Sequence, residues 1–107
     1  MDITLTTRHL DRSATLVDLI RRRAHFTLGR FADIIRRLEV RLTDINGPRG
    51  GNDVDCVILA YLERHGRLVV AGRDASAEAV ACRGIDRMAG MVRRHLDRLH
   101  DHHSRHR

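Results

Sequence analysis

Hydrophobic and polar positions recur along this chain with two different periods, and the switches between them mark out strands and helices. Ile3, Leu5 and Thr7 alternate with Asp2, Thr4 and Thr6, the period-two pattern of a short strand. Ser13 can cap a helix that runs to about Phe31, with Leu16, Leu19, Ile20, Ala24, Thr27 and Phe31 at helical spacing. Arg23 falls inside that apolar sector and must snorkel to its edge. Leu38, Val40 and Leu42 alternate with Arg37, Glu39, Arg41 and Thr43, which predicts a half-buried strand. The segment from Asn46 to Asn52 is dense in turn residues and holds the only proline, so it predicts a loop that presents Arg49.

Val54 to Leu62 is apolar except for Asp55 and reads as a central strand. Arg64-His65-Gly66 is a tight turn into a further strand, Leu68 to Ala71. Asp74 or Ser76 then caps a final helix that continues to about His100. Its apolar stripe is Ala77, Ala81, Ile85, Met88, Val92, Leu96 and Leu99. The order β-α-β-β-β-α predicts a single α+β domain over residues 1–100, a four-stranded sheet with two helices on one face. The last three strands should form an antiparallel meander, and the first should add in parallel because a helix supplies its crossover. The polar, His/Arg-rich tail, 101–107, is expected to be disordered.

A second stripe runs beside the apolar one on the final helix. Arg83, Arg87, Arg94 and Arg98 recur at spacings of four, seven and four, and at about 100° per residue they share one narrow sector. Like charges four apart cost an isolated helix roughly 0.2–0.5 kcal/mol per pair, so their retention points to an anionic partner. Local pairing can neutralise part of the stripe, with Asp86 in reach of Arg83 and Asp97 in reach of Arg93 or Arg94. Arg87, Arg98 and one of Arg93 and Arg94 then remain. The first helix adds Arg21, Arg22, Arg23 and Arg30 against Asp18 alone, and two helices side by side would join these into one basic surface.

Composition strengthens this picture. The 107 residues carry a net charge of +6, which favours a polyanion, with nucleic acid ahead of an acidic membrane surface. All the basic residues are arginine, the better bidentate phosphate ligand, although nucleotide bias in the source genome is the better explanation of a lysine-free chain. The aromatics are only Phe26, Phe31 and Tyr61, too few for a base-stacking platform, so binding to backbone and shape is expected.

Other chemistry finds little footing. Gly47-Pro48-Arg49-Gly50-Gly51 lacks the Lys-Ser/Thr of a phosphate-binding loop and precedes a strand. Cys56 and Cys82 lie far apart and read as reduced thiols. His95, His100, His102, His103 and His106 crowd the C-terminal end, but a frayed tail cannot hold a rigid metal site. No nucleophile and base share an evident cleft, so neither an enzyme, a cofactor nor a small-molecule substrate is expected. Neither a secretory signal nor a membrane-length apolar run is visible, which makes the cytoplasm the default location.

Three segments together resemble one known family. Ile3-x-Leu5-x-x-Arg8-His9, with a helix ending Leu28-Gly29-Arg30-Phe31, resembles the opening of the ribosome hibernation promoting factor and ribosome-associated translation inhibitor family. Val40-Arg41-Leu42-x-Asp44-x-Asn46-Gly47-Pro48-Arg49-Gly50-Gly51-x-Asp53-x-x-Cys56 resembles the second hairpin of one branch. Ile85-Asp86-Arg87-Met88, followed by Arg93-Arg94-His95-Leu96-Asp97-Arg98-Leu99, resembles its basic C-terminal helix.

The resemblance implies a fold akin to double-stranded-RNA-binding domains. It further implies a non-enzymatic regulator that docks on the rRNA of the small ribosomal subunit, occludes the tRNA and mRNA sites and keeps idle ribosomes inactive. The family's basic helix positions map onto Arg23, Arg87, Arg94 and Arg98, and with Arg22, Arg30 and Arg93 from the basic helices read above these are the expected RNA-binding residues. A departure lies at Ser76–Cys82, where the family commonly has an acidic-Met-Tyr-Ala-Ala-Ile-Asp run. The short form carries no separate dimerisation domain, so the chain is expected as a monomer or weak dimer. Two other readings are a general structured-RNA-binding module and a protein-interaction domain. The latter would act through a sheet face carrying Val57, Leu59 and Tyr61.

Overall fold

Strand β1 (Asp2–Arg8) lies parallel to β2 (Ile35–Asp44), because the intervening chain crosses back through helix α1 (Ala14–Leu28). The chain then doubles back twice, pairing β3 (Val54–Leu62) antiparallel to β2 and β4 (Arg67–Asp74) antiparallel to β3. Helix α2 (Ala77–Arg105) follows, and the sheet order is β1-β2-β3-β4. This computed structural model describes residues 1–46, 53–64 and 66–105, the side chains only as far as Asp101. The α+β architecture, the meander and the parallel first strand are those expected from the sequence. The predicted loop with Arg49 and the turn residue His65 lie outside the described residues, as do the side chains of His102, His103 and His106.

The pleat explains why both helices share one face. In register across the sheet stand Ile3, Leu38, Ala60 and Leu68, then Leu5, Val40, Ile58 and Val70, then Thr7, Leu42, Cys56 and Gly72. All but Thr7, Leu68 and Gly72 are buried. Against these rows pack Leu16, Ile20, Ala24 and Leu28 of α1 and Val80, Ala81, Ile85, Met88 and Val92 of α2, forming one core. Each fully buried aliphatic side chain of this size contributes about 1.5–3 kcal/mol of transfer free energy. Gly84 lets α2 approach β3 closely, since a Cβ there would stand 2.7 Å from Ile58 Cδ1.

Both helix starts follow their caps. Ser13 Oγ accepts from the Leu16 amide at 3.1 Å, and Ser76 Oγ accepts from the Ala79 amide at 3.1 Å. Asp74 does not cap α2 but accepts from the Ser76 amide at 3.2 Å, closing the turn that leads into the cap. Two helix ends differ from expectation. α1 stops at Leu28, and a 3-10 turn, Gly29–Phe31, carries Phe31 into the core. α2 runs past His100 to Arg105, because no glycine or proline interrupts it there.

The opposite sheet face carries Val57, Leu59 and Tyr61 as expected, but it is not a bare apolar patch. Leu59 is only 5% exposed. The Arg37 guanidinium lies over the Tyr61 ring at 4.3 Å. The Tyr61 hydroxyl donates to Glu39 at 3.1 Å, and Arg41 pairs with the same carboxylate at 3.1 Å. Arg37, Glu39 and Arg41 thus set polar groups beside Tyr61, while Val69 of β4, opposite Leu59 on this face, is 44% exposed.

Candidate nucleic-acid interface

β1 and β4 run in the same direction, and each is followed by a helix that returns across the sheet, so α1 and α2 lie parallel and in contact. Their shared flank is closed by Arg23 and Asp86. Arg23 Nη2 meets Asp86 Oδ2 at 2.6 Å and Arg23 Nε meets Oδ1 at 3.2 Å. These hydrogen bonds, and then the charge of Asp86, raise the Arg23 pKa above its ordinary value. Arg23 has snorkelled from the apolar sector as expected, and it ends on a carboxylate of the neighbouring helix.

This pair overturns the local pairing anticipated for α2. Asp86 binds Arg23, and Arg83 instead reaches back to Asp74 at 2.6 Å. The reason is packing: Asp86 sits on the side of α2 that faces α1, while Arg83 lies above the turn leaving β4. The Arg83 hydrogen bond, with that from the Ser76 amide, pulls the Asp74 pKa below its usual 3.8. Among the described residues, Asp97 pairs with neither Arg93 nor Arg94.

The remaining arginines divide by what they touch. Arg22 forms an i,i+4 pair with Asp18 at 3.2 Å, both largely exposed. Arg30 is exposed on the 3-10 turn, its guanidinium 4.8 Å from the Phe31 ring centroid. Arg87 leans over the sheet edge, where Nη1 donates to the Ala71 carbonyl of β4 at 2.8 Å. That contact occupies an edge carbonyl and leaves the cation exposed and, among the described residues, without a carboxylate. Arg93, Arg94 and Arg98 are exposed and, among the described residues, have no acidic partner. Arg94 folds back along its own helix, its Nη1 3.3 Å from where a Cβ on Gly90 would stand.

The helix layer therefore presents an arginine-rich outer side. Arg22 and Arg23 lie there on α1, Arg30 on the 3-10 turn that follows, and Arg87, Arg93, Arg94 and Arg98 along α2, with Arg87 at the β4 edge. Of these seven, and among the described residues, Arg93, Arg94 and Arg98 stand free of both carboxylate and ring or carbonyl contacts. Phe26 also stands on this surface, 88% exposed, a residue that the apolar stripe of α1 had no place for. Its signal was its helix position, four residues from both Arg22 and Arg30.

Other chemistry does not gather. Among the described residues no group of three His, Cys, Asp or Glu side chains is placed to hold a metal ion. Cys56 and Cys82 are free thiols, and burial pushes the Cys56 pKa up to about 11, the behaviour of a core thiol rather than a nucleophile. Among the same residues no helix is long and apolar enough to cross a membrane.

The architecture defines a class, the β-α-β-β-β-α domain with both helices on one face of a mixed four-stranded sheet. No family model matches the chain, and no curated protein matches it. Solved structures do. The Protein Y N-terminal domain of Thermus thermophilus is similar at a TM-score of 0.72 and 24% identity, over 88% of this chain and 98% of that one. A ribosomal subunit interface protein from Coxiella burnetii is similar at a TM-score of 0.74 and 12% identity, over 91% and 99%. The fold is thus shared with these proteins along nearly their whole length, in agreement with the fold that the three segments of resemblance implied.

Proposed function

We propose that this domain is a ribosome-associated translation regulator that binds small-subunit rRNA and fills the tRNA and mRNA sites of idle ribosomes. The observation that carries the reading is the outer face of α2. Arg93, Arg94 and Arg98 there meet no acidic group among the described residues, with Arg87 beside them and Arg22, Arg23 and Arg30 across the helix groove. Guanidinium groups so placed can engage phosphates directly. The fold shared with a ribosomal subunit interface protein supports a ribosomal partner over other polyanions. No covalent chemistry is required of the domain, because occlusion acts by occupancy.

Sedimentation with purified small subunits tests the reading, using the wild type and a variant with Arg87, Arg94 and Arg98 changed to Glu. The wild type should co-sediment and the triple variant should not. With six or more phosphates engaged, affinity should fall by about 10³ or more between roughly 50 and 200 mM salt. Undiminished co-sedimentation of the triple variant removes the arginine assignment. Competition by modest amounts of duplex RNA would instead favour a general structured-RNA-binding module.

A further inference from the structure

We propose that Phe26 is a stacking site for one unpaired nucleobase, set in the basic surface between α1 and α2. The inference rests on the RNA-binding reading and adds to it a contact that phosphate recognition alone does not need. An 88% exposed phenyl ring is the most exposed large apolar side chain among the described residues, and it has no place in the core cluster. Its surroundings are cationic. Arg22 and Arg23 lie four and three residues before it, and Arg30 four after.

The ring borders two open hollows. One, of about 360 Å³, is lined by Phe26, Thr27, Arg23, Arg30 and Asp86. The other, of about 290 Å³, is lined by Phe26, Leu19, Arg22, Arg23 and Cys82. Arg23 belongs to both and is held in place by Asp86, so the floor beside the ring is fixed before any ligand arrives.

A nucleobase is the occupant whose chemistry fits. It offers a flat π face to the ring and carries anionic phosphates on either side. Arg22 on α1 and Arg30 on the 3-10 turn stand roughly 13 Å apart along the helix direction, within reach of phosphates flanking a single unstacked nucleotide. An apolar protein segment would find the ring but gain nothing from the arginines around it. Because every base has a π face, the site should be tolerant of base identity. The domain then holds backbone through its arginines and one splayed base through Phe26.

A substitution series read against purified small ribosomal subunits tests this. F26A should bind about 5- to 150-fold more weakly, the range found for loss of one stacked base. F26Y and F26W should stay close to wild type, whereas F26L should bind as poorly as F26A. The chain has no tryptophan, so the indole of F26W is a unique reporter. It should be quenched on binding and should photo-crosslink to rRNA. Wild-type affinity of F26A overturns the inference, and so does wild-type affinity of F26L or a crosslink to a ribosomal protein, which would make the ring an ordinary apolar contact. Phe26 is uncharged, so F26A should keep the wild-type salt dependence. Failure of the underlying RNA reading would appear separately, as an unchanged salt dependence in Arg94→Ala and Arg98→Ala.

Discussion

Arg23 of α1 and Asp86 of α2, distant in sequence, form a two-point ion pair that joins the helices along their exposed flank, at 2.6 and 3.2 Å. The side chains are 41% and 46% exposed, so solvent and salt screen the pair, and it positions the helices more than it stabilises the fold. Arg23→Asp or Asp86→Arg alone places like charges across the groove and should lower the melting temperature. The two together should recover most of the loss, and lack of recovery would mean the groove is set by apolar packing alone.

Arg83 and Arg94 share a stripe but not a role. Arg83 is committed to Asp74 at 2.6 Å, whereas Arg94 meets no acid among the described residues. If both faced phosphate equally, both would contribute to counterion release. Arg94→Ala and Arg98→Ala should each reduce the slope of log affinity against log salt by about 0.7–0.9, the release expected for one phosphate contact. Arg83→Ala should leave the slope unchanged. Equal effects from the two groups would show that RNA displaces Asp74.

The sequence made the elements legible and hid the partnerships. A near-continuous apolar run placed Val54–Leu62 to the residue, since a strand buried on its helix face and half-covered on the other has few polar positions. Ser13 and Ser76 were legible because a cap is local. Asp86 was assigned to Arg83 because counting along one helix is all a single element allows. The true partners, Arg23 for Asp86 and Asp74 for Arg83, depend on how α1 and β4 sit against α2. Arg87 likewise looked like a free cation until β4 brought the Ala71 carbonyl beneath it. Three aromatics are too few for a platform, but their number says nothing of where the Phe26 ring stands.

Asp74 gives the domain a defined acid response. Its pKa is depressed, chiefly by the hydrogen bond from Arg83 and then by the Ser76 amide. A carboxylate depressed in the folded state contributes stability that is complete above its usual, unfolded value of 3.8 and is lost as pH falls through the lower folded value. Asp74→Asn should therefore be less stable than wild type near neutral pH, and the gap should close below about pH 4. Urea midpoints of the two proteins, compared from neutral to acid, test this. A gap that persists at low pH would assign the effect to the turn before α2 rather than to the charge.

Gly84 and Ile58 set the distance between α2 and the sheet, and their coupling can be measured. Alanine at position 84 gains roughly 1 kcal/mol of helix propensity, but its Cβ would stand 2.7 Å from Ile58 Cδ1. Ile58 is fully buried, so its δ-methyl cannot swing clear without disturbing neighbours. Overpacking of this kind costs about 1–3 kcal/mol, which outweighs the propensity gain. Gly84→Ala should thus be destabilising in the wild-type background. Ile58→Val removes the clashing atom at a cost of about 0.5–1.5 kcal/mol. In that background Gly84→Ala should become neutral or stabilising, a non-additivity that denaturant titration of the four proteins reads directly. Additive effects would show that α2 shifts as a body to accept the methyl. The arginines it carries would then move relative to α1, and RNA affinity of Gly84→Ala would change along with its stability.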